Sequence, residues 1–204
     1  DRPDSVQSVI FGGHATTPKA NPIEIPTILM NEVLGGSSTS RVNMNLREDK
    51  GWSYGAGTGI FNARGPRFFY ASANVQSDKT AASIGEMMKE LTGFLSAQPI
   101  TAEELAKAKQ NNTLSLPGQW ETGSAVMGSL SQIVQYDLAA DYFDTFADTI
   151  RSVTLDQAED AATQAIHPNS LVWVVVGDKA TVQANLDALG YGKAVLIDSE
   201  GNRL

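Results

Sequence analysis

Residues 54 to 76 read YGAGTGIF, NARGP and RFFYASANVQ, two period-two segments on either side of a glycine-proline turn. Successive side chains of a strand point to opposite faces, so a one-residue slip would move every apolar side chain to the wrong side. A hairpin with one committed face is therefore the strongest restraint on the fold. In its second strand Phe69, Ala71, Ala73 and Val75 share one face, and Phe68, Tyr70, Ser72 and Asn74 share the other. Gly55, Gly57 and Gly59 alternate inside the first strand and precede no helix, so they lack the setting of a phosphate-binding loop. They leave one strand face bare for the approach of another backbone or side chain.

The flanking segments supply the rest of a two-layer domain. SVQSVIFGG at 5–13 is rich in β-branched residues and predicts a strand closed by its glycine pair. From Pro22 to Leu34, Ile25, Ile28, Leu29 and Val33 recur at helical spacing, and Gly35 and Gly36 supply a stop. GGSSTSR then reads as a flexible polar loop. A second amphipathic turn around Val42, Met44 and Leu46 ends at Gly51, which sets Arg47 near a helix end.

Residues 79–95 carry Ile84, Met87, Met88, Leu91 and Leu95 on one stripe, and Thr101 to Glu104 has the form of a capping box. That second helix is expected to end at Pro117 and Gly118. Further helices are expected over 121–136, 141–151 and 155–166. LVWVVV at 171–176 reads as a strand buried on both faces, followed by a helix that Asp178 caps and Gly190 stops. This order predicts an α+β fold: a mainly antiparallel sheet covered by helices, in one domain spanning 1–204.

The composition excludes several classes of function. The net charge is −8 and no basic run is present, so nucleic acid is not an expected partner. The longest apolar run is far shorter than the roughly 20 residues of a membrane span. With no cysteine, thiolate catalysis and disulfides are ruled out, and the redox compartment stays open. Since the sequence begins at Asp1, we expect a fragment of a longer protein or one subunit of a pair.

The only histidines, His14 and His167, lie 153 positions apart and outside any helical zinc signature, so both are expected to be ordinary surface or cap residues. No Gly-x-Ser-x-Gly elbow marks a serine nucleophile. Arg47 and Tyr54, taken singly, read as a solvated guanidinium and a strand aromatic.

Taken together, EVLGGSSTSRVNMNLREDKGWSYGAGTGIF at 32–61 resembles the insulinase (pitrilysin) family of zinc metallopeptidases, which includes the processing-peptidase subunits. The matching features are the helix ending at Leu34, Gly35 and Gly36, the Ser38 to Arg41 loop, and Arg47, Gly51 and Tyr54 leading into a strand. Residues 140–178 resemble the closing segment of the same half-domain. The family pairs two half-domains like a clamshell, and its catalytic half carries His-x-x-Glu-His on the first helix. Here that helix, PIEIPTILMNEVL, has no histidine.

The resemblance therefore implies the C-terminal half without the zinc motif, with no metal ligand in this chain and zinc on a partner half-domain, fused or separate. It implies that Arg47 and Tyr54 act in trans on an extended peptide substrate. Tyr54 would stabilise negative charge on the carbonyl oxygen, and Arg47 would fix the peptide's register. Gly35, Gly36, Ser37 and Ser38 correspond to a substrate-handling loop, although a mobile turn explains them equally well. We expect peptide capture by strand addition to an exposed sheet edge, and a location in the bacterial periplasm or cell envelope. The alternative is a catalytically inactive scaffold or peptide-binding module of the same fold.

Overall fold

The structure, a computed structural model, describes residues 1–204. The predicted hairpin forms from β2 (Ser53–Ile60) and β3 (Arg67–Gln76), paired antiparallel with Ile60 opposite Phe69. β1 (Gln7–Thr16) lies on the other side of β3, antiparallel from Gln7 opposite Gln76 to Thr16 opposite Arg67. β4 (Val172–Val176) completes the four-stranded order β2-β3-β1-β4. Phe69, Ala71, Ala73 and Val75 are all buried, as the alternation requires.

Two expectations about the strands are corrected. β1 does not stop at its glycine pair. A Cβ on Gly12 would lie 2.5 Å from the Trp173 ring and one on Gly13 would lie 2.1 Å from the Phe68 ring. These glycines are mid-strand positions over which aromatic rings lie. β4, in turn, is an edge strand and not a doubly buried one. Trp173 and Val175 pack toward the core, while Val172 is 70% exposed and Val174 and Val176 are also exposed.

Helices cover one face of the sheet. α1 (Glu24–Asn31) passes into a π-helical turn at Glu32–Gly36. The short α2 (Arg41–Asn43) passes into another at Met44–Asp49. Next come α3 (Thr80–Phe94), α4 (Ala102–Gln119), α5 (Gly123–Tyr136), α6 (Tyr142–Ser152), α7 (Leu155–Ala165) and α8 (Lys179–Asp187). The capping box at Thr101 and Glu104 forms, and Asp178 accepts from the Ala180 N–H. α4 runs past Pro117 to Gln119, so the proline falls within its last turn, and the chain closes with Trp120 N–H on the Pro117 carbonyl. Leu29, Met30 and Leu34, Ile84, Met87 and Leu91, and the alanine face of α7 form one core with the inner sheet face. No helix is long and apolar enough to cross a membrane.

Two polar devices tie the layers together. Arg67 opens β3 on the inner face, and its guanidinium donates to both oxygens of Glu24, at 3.0 and 2.5 Å. Lys19 reaches the same carboxylate at 2.8 Å, and Arg67 also donates to the Thr17 carbonyl. All three charged groups are buried.

The second device joins the two histidines: His167 is exposed at the start of the Pro168–Ser170 turn, as a surface or cap residue is expected to be, whereas His14 departs from that expectation. His14 is buried against Phe69. Its Nδ1 lies 3.0 Å from the Ala15 carbonyl, and its Nε2 accepts from the His167 backbone N–H at 3.0 Å. A neutral ring with the proton on Nδ1 satisfies both contacts.

Replacing Glu24 with Gln should lower stability by about 3–5 kcal/mol in urea titrations, because two cations then lose their buried counter-charge. A loss below about 1 kcal/mol would show that the cluster is not a stabilising hub. Burial lowers the His14 pKa from its ordinary value, partly offset by the Ala15 carbonyl and reinforced by repulsion from His167. The folded state thus prefers the neutral ring. The contribution of His14 is complete above its ordinary value of 6.5 and is lost as pH falls from there toward the lowered native value. Urea midpoints at about pH 7.5 and about pH 5.5 should differ more for the native protein than for His14→Gln; equal differences would refute the latch.

Candidate functional site

The Arg47 to Tyr54 segment is anchored at its base, and the Arg47 and Tyr54 side chains are exposed. Leu46 is buried in the core, and Asn45 donates to Glu86 at 2.9 Å and to Glu90 at 2.7 Å on α3. The Asn45 hydrogen bond holds the Glu86 carboxyl below its usual range despite opposing desolvation, and Lys89 and Lys50 add to the effect. Gly51 takes φ +65°, the left-handed conformation that ends the helical turn and lets Trp52 N–H reach the Leu46 carbonyl at 3.0 Å.

Tyr54 is then the extra residue of a β-bulge. Ser53 pairs with Val75 and Gly55 with Asn74, which leaves Tyr54 without a partner. Ser53 Oγ braces the bulge, accepting from Gly55 N–H at 3.0 Å and lying 2.6 Å from the Asn74 carbonyl. The Tyr54 side chain stands 87% exposed. Arg47 meets only Glu48, at 3.2 Å and with both side chains about half exposed, an arrangement that contributes little to stability. No hydrogen bond or ion pair joins Arg47 to Tyr54.

The glycine-serine loop is not the free loop expected. A Cβ on Gly35 would lie 2.2 Å from the Thr58 N, and one on Gly57 would lie 2.4 Å from the Gly35 carbonyl oxygen, so the two backbones touch. Gly35 and Gly36 close a π-helical turn against β2. With Ser37 and Ser38 they border a shallow groove of about 570 Å³ on the uncovered sheet face, floored by Gly55, Gly57, Ser72 and Asn74. The structure brings these loop residues together with the bare face of β2, whereas Arg47 and Tyr54 do not line that groove.

The outer edge of β2 is also occupied. Ala56 N–H donates to Asn43 Oδ1 at 3.1 Å, and Asn31 bonds Thr58 through both its backbone carbonyl and its hydroxyl, at 3.4 and 2.9 Å. Strand addition next to Tyr54 would have to displace two asparagines. The uncovered face offers a different surface. Phe11, Phe61, Phe68 and Tyr70 stack across it with centroids 4.7 to 6.5 Å apart, beside the exposed valines of β4. This face can hold apolar side chains of an extended chain at one end and hydrogen-bond its backbone at the polar end.

The residues of this chain do not fit the zinc that the resemblance implies for a catalytic half. Both ring nitrogens of His14 are already hydrogen-bonded, and no three His, Asp or Glu side chains converge. Asn31, Asn43 and the Lys19, Glu24 and Arg67 cluster escaped the sequence reading. Arg67 alone left a trace, since it shares parity with Phe69 and so had to point inward.

Residues 2–112 match the family model for the peptidase M16 inactive domain. No curated protein sequence matches the chain. Among solved structures, it is similar to the peptidase M16 inactive domain from Pseudomonas fluorescens. That match has TM-score 0.79 and 20% identity over 85% of this chain and 41% of that one. It is also similar to an inactive peptidase domain from Bordetella parapertussis, with TM-score 0.72 and 15% identity over 87% and 96% of the two chains. A chain of Complex III2 from Candida albicans gives TM-score 0.72 and 10% identity over 92% and 48%. The present chain thus spans about two fifths of the Pseudomonas chain. At these identities the likenesses concern the fold, while the family model covers more than half the sequence. The chain belongs to the peptidase M16 inactive-domain family, and its fold is the α+β half-domain of that family.

Proposed function

We propose that this chain is the accessory, substrate-binding half of a two-part zinc metalloendopeptidase. The zinc and the general base lie on another half-domain, fused or separate, that carries His-x-x-Glu-His. The observation that carries this reading is the bulge at Tyr54, which turns a tyrosine out of the hairpin and leaves its hydroxyl free of any internal partner. A braced, exposed hydroxyl serves no packing purpose and suits a donor to a group held outside this chain.

The roles of the residues follow from their chemistry. An extended peptide lies against the uncovered sheet face, and its apolar side chains meet Phe11, Phe61, Phe68 and Tyr70. Tyr54 donates to the scissile carbonyl oxygen as negative charge builds there, so its contribution is larger in the transition state than in the bound substrate. The Arg47 guanidinium needs only to break the weak contact with Glu48 to fork across peptide carbonyl oxygens and set the register. Gly35, Gly36, Ser37 and Ser38 offer hydrogen bonds at the polar end of the face. Zinc, when bound to the partner half, supplies the Lewis acid that this chain lacks. The competing reading, an inactive scaffold of the same fold, has the Complex III2 likeness as its support.

The test is cleavage of a quenched fluorescent peptide by this chain mixed with its candidate zinc-binding half. Tyr54→Phe should lower kcat by roughly 10²–10³ with little change in KM, and Arg47→Ala should mainly raise KM. Because both side chains are exposed, each variant should keep its unfolding free energy within about 0.5 kcal/mol of the native protein. Unchanged turnover in Tyr54→Phe would favour the scaffold.

A further inference from the structure

On the helical side of the sheet, away from the uncovered face, a cavity of about 350 Å³ lies among α1, α4, α5 and α6. Its apolar walls are Ile28, Leu116, Trp120, Phe143 and Phe146, and Lys19 and Tyr142 also line it. Gln119, Ser129 and Gln132 complete the polar lining, and neither Lys19 nor Tyr142 is accounted for by the accessory peptidase role.

The charges beside this cavity do not balance. Lys19, Glu24 and Arg67 are two cations around one carboxylate, with side chains only 9%, 4% and 2% exposed. Glu24 is saturated, accepting from Arg67, Lys19 and Asn21. The Arg67 Nε–H donates to the Thr17 carbonyl. Lys19 has three ammonium donors but one side-chain partner, Glu24 at 2.8 Å. The Tyr142 hydroxyl is buried with no hydrogen-bond partner. Burial, with Glu24 nearby, raises its pKa well above the ordinary tyrosine value, so it is a proton donor at neutral pH.

An excess buried positive charge and an unpaired buried donor are both costly. A single anion in the cavity would relieve both. We propose that this cavity is a binding site for a small carboxylate with an aromatic or alkyl body. The carboxylate accepts from the Lys19 ammonium and, once a small shift of the Tyr142 side chain uncovers its buried hydroxyl, from Tyr142 as well, and the body packs among Trp120, Phe143 and Phe146. The volume lies at the lower end of the range of about 300–1,000 Å³ for small-molecule sites, which suits one ring or a short alkyl chain. A neutral analogue would leave the ammonium uncompensated, so charge is the basis of selection.

The probe is 3-phenylpropanoate, titrated calorimetrically into the purified protein and compared with the neutral 3-phenylpropanamide. The acid should bind and raise Tm, and the amide should bind at least roughly tenfold more weakly. Lys19→Met should weaken the acid by roughly tenfold or more. The fold survives in that variant because Glu24 keeps both Arg67 bonds, which circular dichroism checks. Tyr142→Phe removes only the unpartnered hydroxyl. It should weaken the acid about three- to tenfold without lowering the Tm of the free protein, so it guards against a folding artefact in the lysine variant. No binding of the acid at about 5 mM would overturn the proposal, as would equal binding of acid and amide or indifference to both substitutions.

Discussion

The antiparallel pairing of β1 with β3 is the constraint on which the rest of the molecule depends. It runs the full length of both strands, from Gln7 opposite Gln76 to Thr16 opposite Arg67. Because side chains alternate, this one register assigns every residue of the two central strands to a face. Ile10, His14, Phe69, Ala71, Ala73 and Val75 are turned inward beneath the helices. Phe11, Phe68 and Tyr70 are turned to a face that nothing covers. The same register carries Arg67 inward, which obliges the chain to supply the Glu24 carboxylate at the start of α1. The orientation of the first helix on the sheet is thereby tied to the sheet's own register.

The molecule treats its two sheet edges differently. At β2 the backbone is met by Asn31 and Asn43 and by the close approach of Gly35 to Gly57, so that edge is chemically occupied. At β4 the edge is open, and its outward valines extend the apolar surface begun by the aromatic rings of β1, β2 and β3. A surface of this kind on an isolated chain is a liability for association. In the proposed pairing with a zinc-binding half-domain, it would become the wall of a shared space. Tyr54 stands at the rim of the occupied edge, where a bulge could be accommodated because the next strand position on that side holds side chains and not a ladder.

Much of this was legible in the sequence wherever a local rule had one solution. The hairpin faces, the capping box at Thr101, the Asp178 cap and the helical stripe of α3 each follow from periodicity or from a single hydrogen-bonding requirement. The Arg47, Gly51 and Tyr54 spacing was equally visible, because a left-handed glycine between a helical turn and a strand leaves a fixed offset on either side. What misled was apolarity without context. LVWVVV has the composition of a central strand, yet whether a strand lies at the centre or the edge depends on which strands flank it, and nothing within the segment records that. The glycine pair of β1 misled for the same reason, since the rings that cover it come from Trp173 and Phe68, distant in sequence.

The sequence by itself determined the elements, the committed hairpin face, the family resemblance and the lack of a zinc motif, because each rests on residues close together along the chain. Only the tertiary structure decided how distant groups meet. It brought His14 to the backbone of His167, closed the β2 edge with two asparagines, and gathered Lys19, Glu24 and Arg67 into one buried cluster beside the cavity that Lys19 and Tyr142 line. Hydrogen bonds and buried charges act over a few ångströms of space, and chain folding, not residue spacing, sets which groups come within that range.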